Sequence, residues 1–333
     1  MTTSSPGHAT IKDVARAAGV STGTVSNLIN DTKRVGPQTA ERITRAISEL
    51  GFVPNSAVRV IMGGRTHAVG LLVPDATNPF FADVAQGIED VTFSEDLMVV
   101  VCNTMGDPER EEHYTQALAE MRVRGAIALA TDDDQYLARL ARTGARVVTL
   151  GTPSGGRDFS NVAISDDVGG YLAVKHLIDR GHRRIALVGG AGAQHQIRER
   201  FAGAERAMRE SGLDPAEAPR IYVPSATLGD RMDAGRRLIE LSPRPTAAFC
   251  ASDQLALAIE AYVLQAGLVI PDDLALVGYD DIEGAALAAR PLTTIRQPQR
   301  EIGVAAATLV LRGEQETPES ITFDPELVVR QSS

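Results

Sequence analysis

Apolar residues recur at helical spacing near the start of the chain. Ile11, Val14, Ala15 and Ala18 fall at i, i+3, i+4 and i+7, one face of a helix. Thr10 precedes them and Asp13 lies three residues on, the spacing of a capping box. Gly19 follows where the chain must reverse, and glycine takes positive φ without strain. Ser21 is placed to cap a second helix with Val25, Leu28 and Ile29 inward. Its other positions, Thr22, Gly23, Thr24, Ser26 and Asn27, are short and polar, suited to entering a groove and bonding base edges or phosphates. Small Ala15 allows the two helices to approach. Gly36-Pro37 opens a third helix with Ile43, Ala46, Ile47 and Leu50 inward and Gly51 as its stop.

From Thr66 the pattern changes to short apolar runs alternating with amphipathic stretches. The runs predict strands over 69–73, 97–101, 126–129, 147–150, 185–188, 247–250 and 274–277. Helices are predicted over 80–94, 109–122, 134–142, 167–180, 198–211, 230–241 and 253–266. Such alternation implies parallel sheets covered on both faces. So many units suggest two doubly wound lobes, with a ligand site in the crevice at the carboxyl ends of strands. Residues 1–9 read as disordered, and 55–62 as a linker able to form one short helix. That helix is too short to be stable alone, so a DNA groove and a partner copy are expected to fold it.

The net charge of −10 argues against nucleic acid until its distribution is read. Residues 1–66 carry eight basic and four acidic side chains, whereas the remainder carries 25 and 39. A basic head on an acidic body suits a protein that touches phosphate at one end. No apolar run is long enough to span a bilayer, and no membrane partner is expected. The N-terminus lacks the apolar core of a secretory signal. Cys102 and Cys250, in apolar runs, fit a reducing cytoplasm and offer no metal spacing.

The helix–turn–helix run, continuing through Phe52-Val53-Pro54-Asn55 and Ala68-Val69-Gly70-Leu71-Leu72-Val73-Pro74, resembles the N-terminus of the LacI-type family of bacterial transcription repressors. The likeness extends to about Arg330. Its later landmarks are the segment from His176 to Ile185, Arg244-Pro245-Thr246-Ala247-Ala248-Phe249-Cys250, Val277-Gly278-Tyr279-Asp280-Asp281 and Leu292-Thr293-Thr294-Ile295-Arg296-Gln297-Pro298. The resemblance implies a multidomain chain: an all-α helix-turn-helix head over 10–54, a hinge helix and linker over 55–65, and an α/β periplasmic-binding-protein-like effector and dimerisation domain over 66–333. It puts three crossings between lobes near residues 163, 291 and 323. Lobe 1 would then hold 66–163 and 292–322, and lobe 2 would hold 164–291 and 323–333.

It also implies roles. Thr22, Gly23 and Asn27 would read bases, with Ser21, Thr24 and Ser26 nearer phosphate. Gly23 departs from the family, which usually has a side chain there. Arg59 and Ile61 would enter the minor groove, where an apolar side chain unstacks a base step. Ile61 stands in place of the family's leucine, and Val58 in place of its alanine. In the body, Asp75, Phe80, Phe81, Gln194, Gln196, Arg200, Ser252 and Asp280 would surround an effector. Phe80 is the favoured stacking residue. Arg200 and Asp280, set across the cleft, would fix a polar, hydroxyl-rich ligand by charge-assisted bonds. Asp253 reads as a helix cap. The expected partners are double-stranded operator DNA, a second copy of the chain and a small sugar-like effector.

Two rivals are weaker. A transport solute-binding protein would share the body but not the basic head. An enzyme with a nucleotide cofactor would need a phosphate loop. Gly189-Gly190-Ala191-Gly192 follows a strand, but His195 stands where the third glycine of the dinucleotide fingerprint belongs. No cofactor is expected, Asp132-Asp133-Asp134 reads as a solvated helix entry, and no nucleophile–base set stands out.

Overall fold

The computed structural model describes residues 9–29, 33–52, 65–129, 135–151, 159–190, 195–224, 227–312 and 317–333. The expected disordered N-terminus, apart from Ala9, and the hinge with Arg59 and Ile61, apart from Arg65, lie outside them. So do Gln194 and the aspartates 132–134. The chain divides into two compact units, Met1–Thr66 and His67–Ser333.

Among the described residues the head has three helices, α1 (Ile11–Ala18), α2 (Thr22–Ile29) and α3 (Pro37–Leu50). The Asp13 carboxylate accepts from Thr10 N at 3.0 Å and from its hydroxyl at 2.6 Å, and these bonds hold its pKa below the usual carboxylate value. Gly19 has φ +65°, the left-handed turn that ends α1. Val14, Ala15, Ala18, Val25, Ile43 and Ala46 form the buried centre, with Leu28, Ile29 and Ile47 against it. Leu50 is a correction: it is 40% exposed. After the Gly51 turn, Phe52 N donates to Ile47 O and the Phe52 ring folds back onto the core in its place.

Among the described residues the body has two six-stranded sheets. In lobe 1 the order is β11-β5-β4-β3-β1-β2, with β1 (Ala68–Val73), β2 (Met98–Asn103), β3 (Gly125–Leu129), β4 (Arg146–Leu150), β5 (Ser160–Ile164) and β11 (Ser320–Phe323) all parallel. Helices α4 (Pro79–Thr92), α5 (Pro108–Glu120) and α6 (Gln135–Arg142) follow successive strands, and α12 (Gln299–Leu311) packs against α4. In lobe 2 the order is β12-β10-β9-β8-β6-β7. These are β6 (Ile185–Gly190), β7 (Arg220–Val223), β8 (Ala247–Cys250), β9 (Ala275–Asp280), β10 (Thr293–Arg296) and the antiparallel β12 (Glu326–Val328). Their helices are α7 (Asp166–Asp179), α8 (His195–Glu210), α9 (Leu228–Glu240), α10 (Asp253–Gln265) and α11 (Glu283–Leu287).

The chain passes between the sheets through Ser165, through Gln297-Pro298 and through Asp324-Pro325. The second crossing corrects the one expected near 291. Thr293–Arg296 pairs in parallel with Val277–Asp280, so β10 stays in lobe 2, and the chain returns to lobe 1 only with α12 and β11. Ser165 Oγ donates to Asp324 Oδ1 at 2.8 Å, tying the first crossing to the third.

Candidate effector cleft and DNA-facing helix

The strands of both sheets end at one cavity of about 650 Å³ between the lobes. This size is within the range of small-molecule pockets. Several wall residues sit just past a strand: Asp75 after β1, Gly151 after β4, Asp166 after β5, Ser252 after β8 and Gln297 after β10, while Asp280 closes β9; Gln196, Arg200, Arg231 and Gln254 reach the wall from helices. This is where an open parallel sheet places ligands, because the turns there can vary without disturbing the core.

Arg200 on α8 is the electrostatic centre. Its Nε donates to Asp166 Oδ1 at 2.7 Å and its NH1 to Ala251 O at 2.7 Å. Its guanidinium lies 3.6 Å above the Tyr279 ring centroid, and NH1 is 4.0 Å from Asp280 Oδ1. Burial alone would depress its pKa, but Asp166, Tyr279 and Asp280 more than reverse that and hold it charged. The Tyr279 hydroxyl donates to the same Asp166 Oδ1 at 3.0 Å, and burial pushes that phenol up. One correction follows. Arg200 and Asp280 do not face each other across the cleft: both belong to lobe 2, on α8 and β9, because both follow strands of one sheet.

Asp280 is pushed up to about 6. Burial raises it, while Arg200 and the amides of Asn78 and Gln297 pull it back. Gln297 Nε2 donates to its Oδ1 at 2.8 Å, and Asn78 Nδ2 reaches Oδ2 from lobe 1 at 3.5 Å. Asp253 is a second correction. It is fully buried, accepts from Ile282 N at 3.0 Å and from the Thr294 hydroxyl at 2.5 Å, and does not cap α10. Ser252 does, accepting from Leu255 N at 3.4 Å. Burial and the nearby Asp280 push the Asp253 carboxyl well above its ordinary value.

Phe80 is half-buried and packs against the cores of both lobes. Phe81 joins the lobe 1 core, edge-on to Phe80 with ring centroids 5.0 Å apart, and also borders the cavity. Gln196 is 8% exposed and borders the cavity, and its Nε2 has no partner among the described residues. It lies against Gly151 of lobe 1, where a Cβ would stand 2.3 Å from that nitrogen and the amide would have to shift. Asp75 lies at the wall, paired with Arg231 Nη2 at 3.0 Å. Asp166, Arg231, Gln254 and Gln297 also line the cavity, and no sequence signal marks them as site residues. Among the described residues no group of three or more His, Cys, Asp or Glu side chains is placed to hold a metal.

On the head, Ser21 caps α2: its Oγ accepts from Thr24 N at 3.1 Å and lies 2.9 Å from Thr24 Oγ1. Thr22 and Gly23 are exposed, whereas Thr24, Ser26 and Asn27 are half-buried. A Cβ at Gly23 would meet nothing closer than Ser21 Oγ at 3.7 Å. Packing does not require the glycine, so its missing side chain is a property of the exposed helix surface.

A helix-turn-helix head on a two-lobed body with a charged cleft defines a ligand-responsive transcription regulator. The comparisons agree. Residues 10–55 match the bacterial regulatory proteins of the lacI family, and 174–333 match a periplasmic binding protein-like domain. The chain is 36% identical over 331 residues to the HTH-type transcriptional repressor PurR of Photobacterium profundum, covering 97% of this chain and 98% of that one. It is 37% identical over 336 residues to the PurR of Aliivibrio fischeri, again covering 97% and 98%. Among solved structures, a lac repressor dimer bound to operator and the anti-inducer ONPF superposes with TM-score 0.82 at 26% identity, covering 98% and 99%. A CelR–cellobiose complex gives 0.71 at 31%, covering 98% and 100%. The chain belongs to the LacI family of bacterial regulatory proteins. It is a ligand-responsive transcriptional repressor of that family, not an enzyme. No helix among the described residues is long and apolar enough to cross a membrane.

Proposed function

We propose that the chain works as a cytoplasmic homodimer on a pseudo-palindromic operator and alters its hold there when a small uncharged, hydroxyl-bearing molecule occupies the cleft. The charge balance of the cavity carries the effector class. Asp75, Glu111, Asp166 and Asp280 line it against two arginines, and each arginine already faces an aspartate. A phosphate or carboxylate would meet excess negative charge at short range in a medium of low dielectric. Hydroxyls would accept from Gln196 and donate to Asp280. Solved relatives hold cellobiose and ribose, which fits. Phe80 between the lobes supports a second reading, a neutral planar heterocycle stacked on the ring.

A thermal-shift screen of sugars, their phosphate esters and purine bases tests this. A ligand at a hundred times its Kd stabilises by about 2.7 kcal/mol. The stabilising compound is expected among the unphosphorylated sugars or, on the second reading, the bases. A phosphate ester that stabilises where its parent sugar does not would overturn the class.

In this reading Thr22, Gly23 and Asn27 face base edges, Ser21, Thr24 and Ser26 lie toward phosphate, and Arg59 and Ile61 enter the minor groove. Asn27→Ala is expected to cost about 1–3 kcal/mol on the preferred site and to relax discrimination at one position of each half-site. Anisotropy titrations against single-base variants read this out. Uniform weakening on every sequence would make Asn27 a phosphate contact instead.

A further inference from the structure

Contacts between the cleft walls converge on one short turn of lobe 1. Arg231 of α9 places Nη2 3.0 Å from Asp75 Oδ2. Gln254 of α10 donates from Nε2 to Thr77 O at 2.9 Å. Asn78 reaches back to Asp280. The turn is braced from within. Asp75 Oδ1 accepts from Thr77 N at 2.9 Å and from its hydroxyl at 2.5 Å, and Asn78 N donates to Asp75 O at 3.1 Å. Both carboxylate oxygens of Asp75 are therefore engaged by protein groups. The Arg231 and Asp75 side chains are 15% and 17% exposed, so solvent screens this pair far less than the ordinary surface ion pair.

We propose that Arg231 and Asp75 form an interlobe clasp. Arg231 is a positioning residue that holds the two cleft walls together independently of the effector, and Asp75 serves this pair rather than contacting the ligand. The clasp joins α9 of lobe 2 to the β1–α4 turn of lobe 1, and the residue after that turn's helix begins is Phe80, the ring packed on both cores. Holding the walls together in advance reduces the ordering that effector binding must supply. It acts whatever the effector's identity, so it stands apart from the class argued above.

The test uses the full chain with no added ligand. Hydrogen–deuterium exchange is followed at two cleft walls, residues 104–106 and 251–255, with residues 137–148 of lobe 1 as an internal reference. Arg231→Met keeps the apolar stem and removes the charge. Asp75→Asn keeps the Oδ1 acceptor for Thr77 and removes the charge. Each single change is expected to speed exchange at both walls several-fold and to leave the reference unchanged. The double variant is expected to go no further than either single, because both remove the same contact. Wild-type exchange in Arg231→Met would overturn the clasp. So would additive effects in the double variant, or acceleration that reaches the reference segment equally.

Discussion

Arg200→Ala is expected to abolish measurable effector binding and to destabilise the body by about 3–5 kcal/mol. Two consequences follow from one geometry. The guanidinium is the positive charge beside the buried Asp166 and close to Asp280, and it covers the Tyr279 ring. Its removal leaves Asp166 accepting from Tyr279 alone among these groups, and an uncompensated buried carboxylate is costly. Asp280 rises further above 6, since Arg200 is its strongest downward influence. Linkage gives the sign for Asp280 in the native chain. Its folded pKa exceeds its ordinary value of 3.8, so the stability it adds is present below that value and is lost as pH rises through about 6. Calorimetry with the compound found by screening reads the first effect, and denaturant unfolding reads the second. Arg200→Lys is the folded control: it keeps charge but not the fork that bonds Asp166 and Ala251 together. Full effector affinity in Arg200→Ala would remove Arg200 from the site. The response on DNA follows by reciprocity, since effector and operator must change each other's affinity by one factor. An inducer would no longer release the Arg200→Ala protein, and a corepressor would no longer strengthen its binding.

Deleting residues 1–66 is expected to abolish operator binding while leaving a cooperatively folded body. The head's core cluster is built from residues 11–52, and the remaining clusters from residues 68 onward. Each unit thus carries its own apolar centre, and removing one leaves the other's packing in place. The basic excess leaves with the head: what remains carries 25 basic against 39 acidic side chains, which repel a phosphate backbone. For the intact chain, log affinity should fall linearly with log salt, with a slope near −0.9 for each phosphate neutralised. Anisotropy across a salt series measures both. Residual specific binding by the truncated body would contradict the division of labour.

The head was almost wholly legible, because its periodicity, caps and turn glycine act within a few residues of each other. Thr10, Asp13, Gly19 and Ser21 do locally what their types and spacing imply. The strands legible as continuous apolar runs are β1–β4, β6, β8 and β9; all but the edge strand β2 are mostly buried. Five strands, β5, β7, β10, β11 and β12, were not visible. Ser160–Ile164 and Thr293–Arg296 bury Ser160, Asn161, Thr293 and Thr294, which leaves apolar runs of only three residues and one. The helix after Pro298 was missed as well, and with it the true second crossing.

In the cleft, Arg200 and Asp280 were reached through family resemblance. Asp166 and Arg231 were not, because each reads as an ordinary helix-end or helix-surface charge. Their partners lie 34 and 156 residues away, a proximity that only the folded sheets create.

In the reading proposed above, two copies of the chain bind one symmetric site. Selection of duplexes by the full chain from a random pool, followed by sequencing and by sizing of the complex, is the decisive experiment. The expected product is two inverted half-sites with centres about 10 base pairs apart, bound by two chains per duplex. Recovery of a single half-site bound by one chain, or no enriched sequence at all, would contradict it.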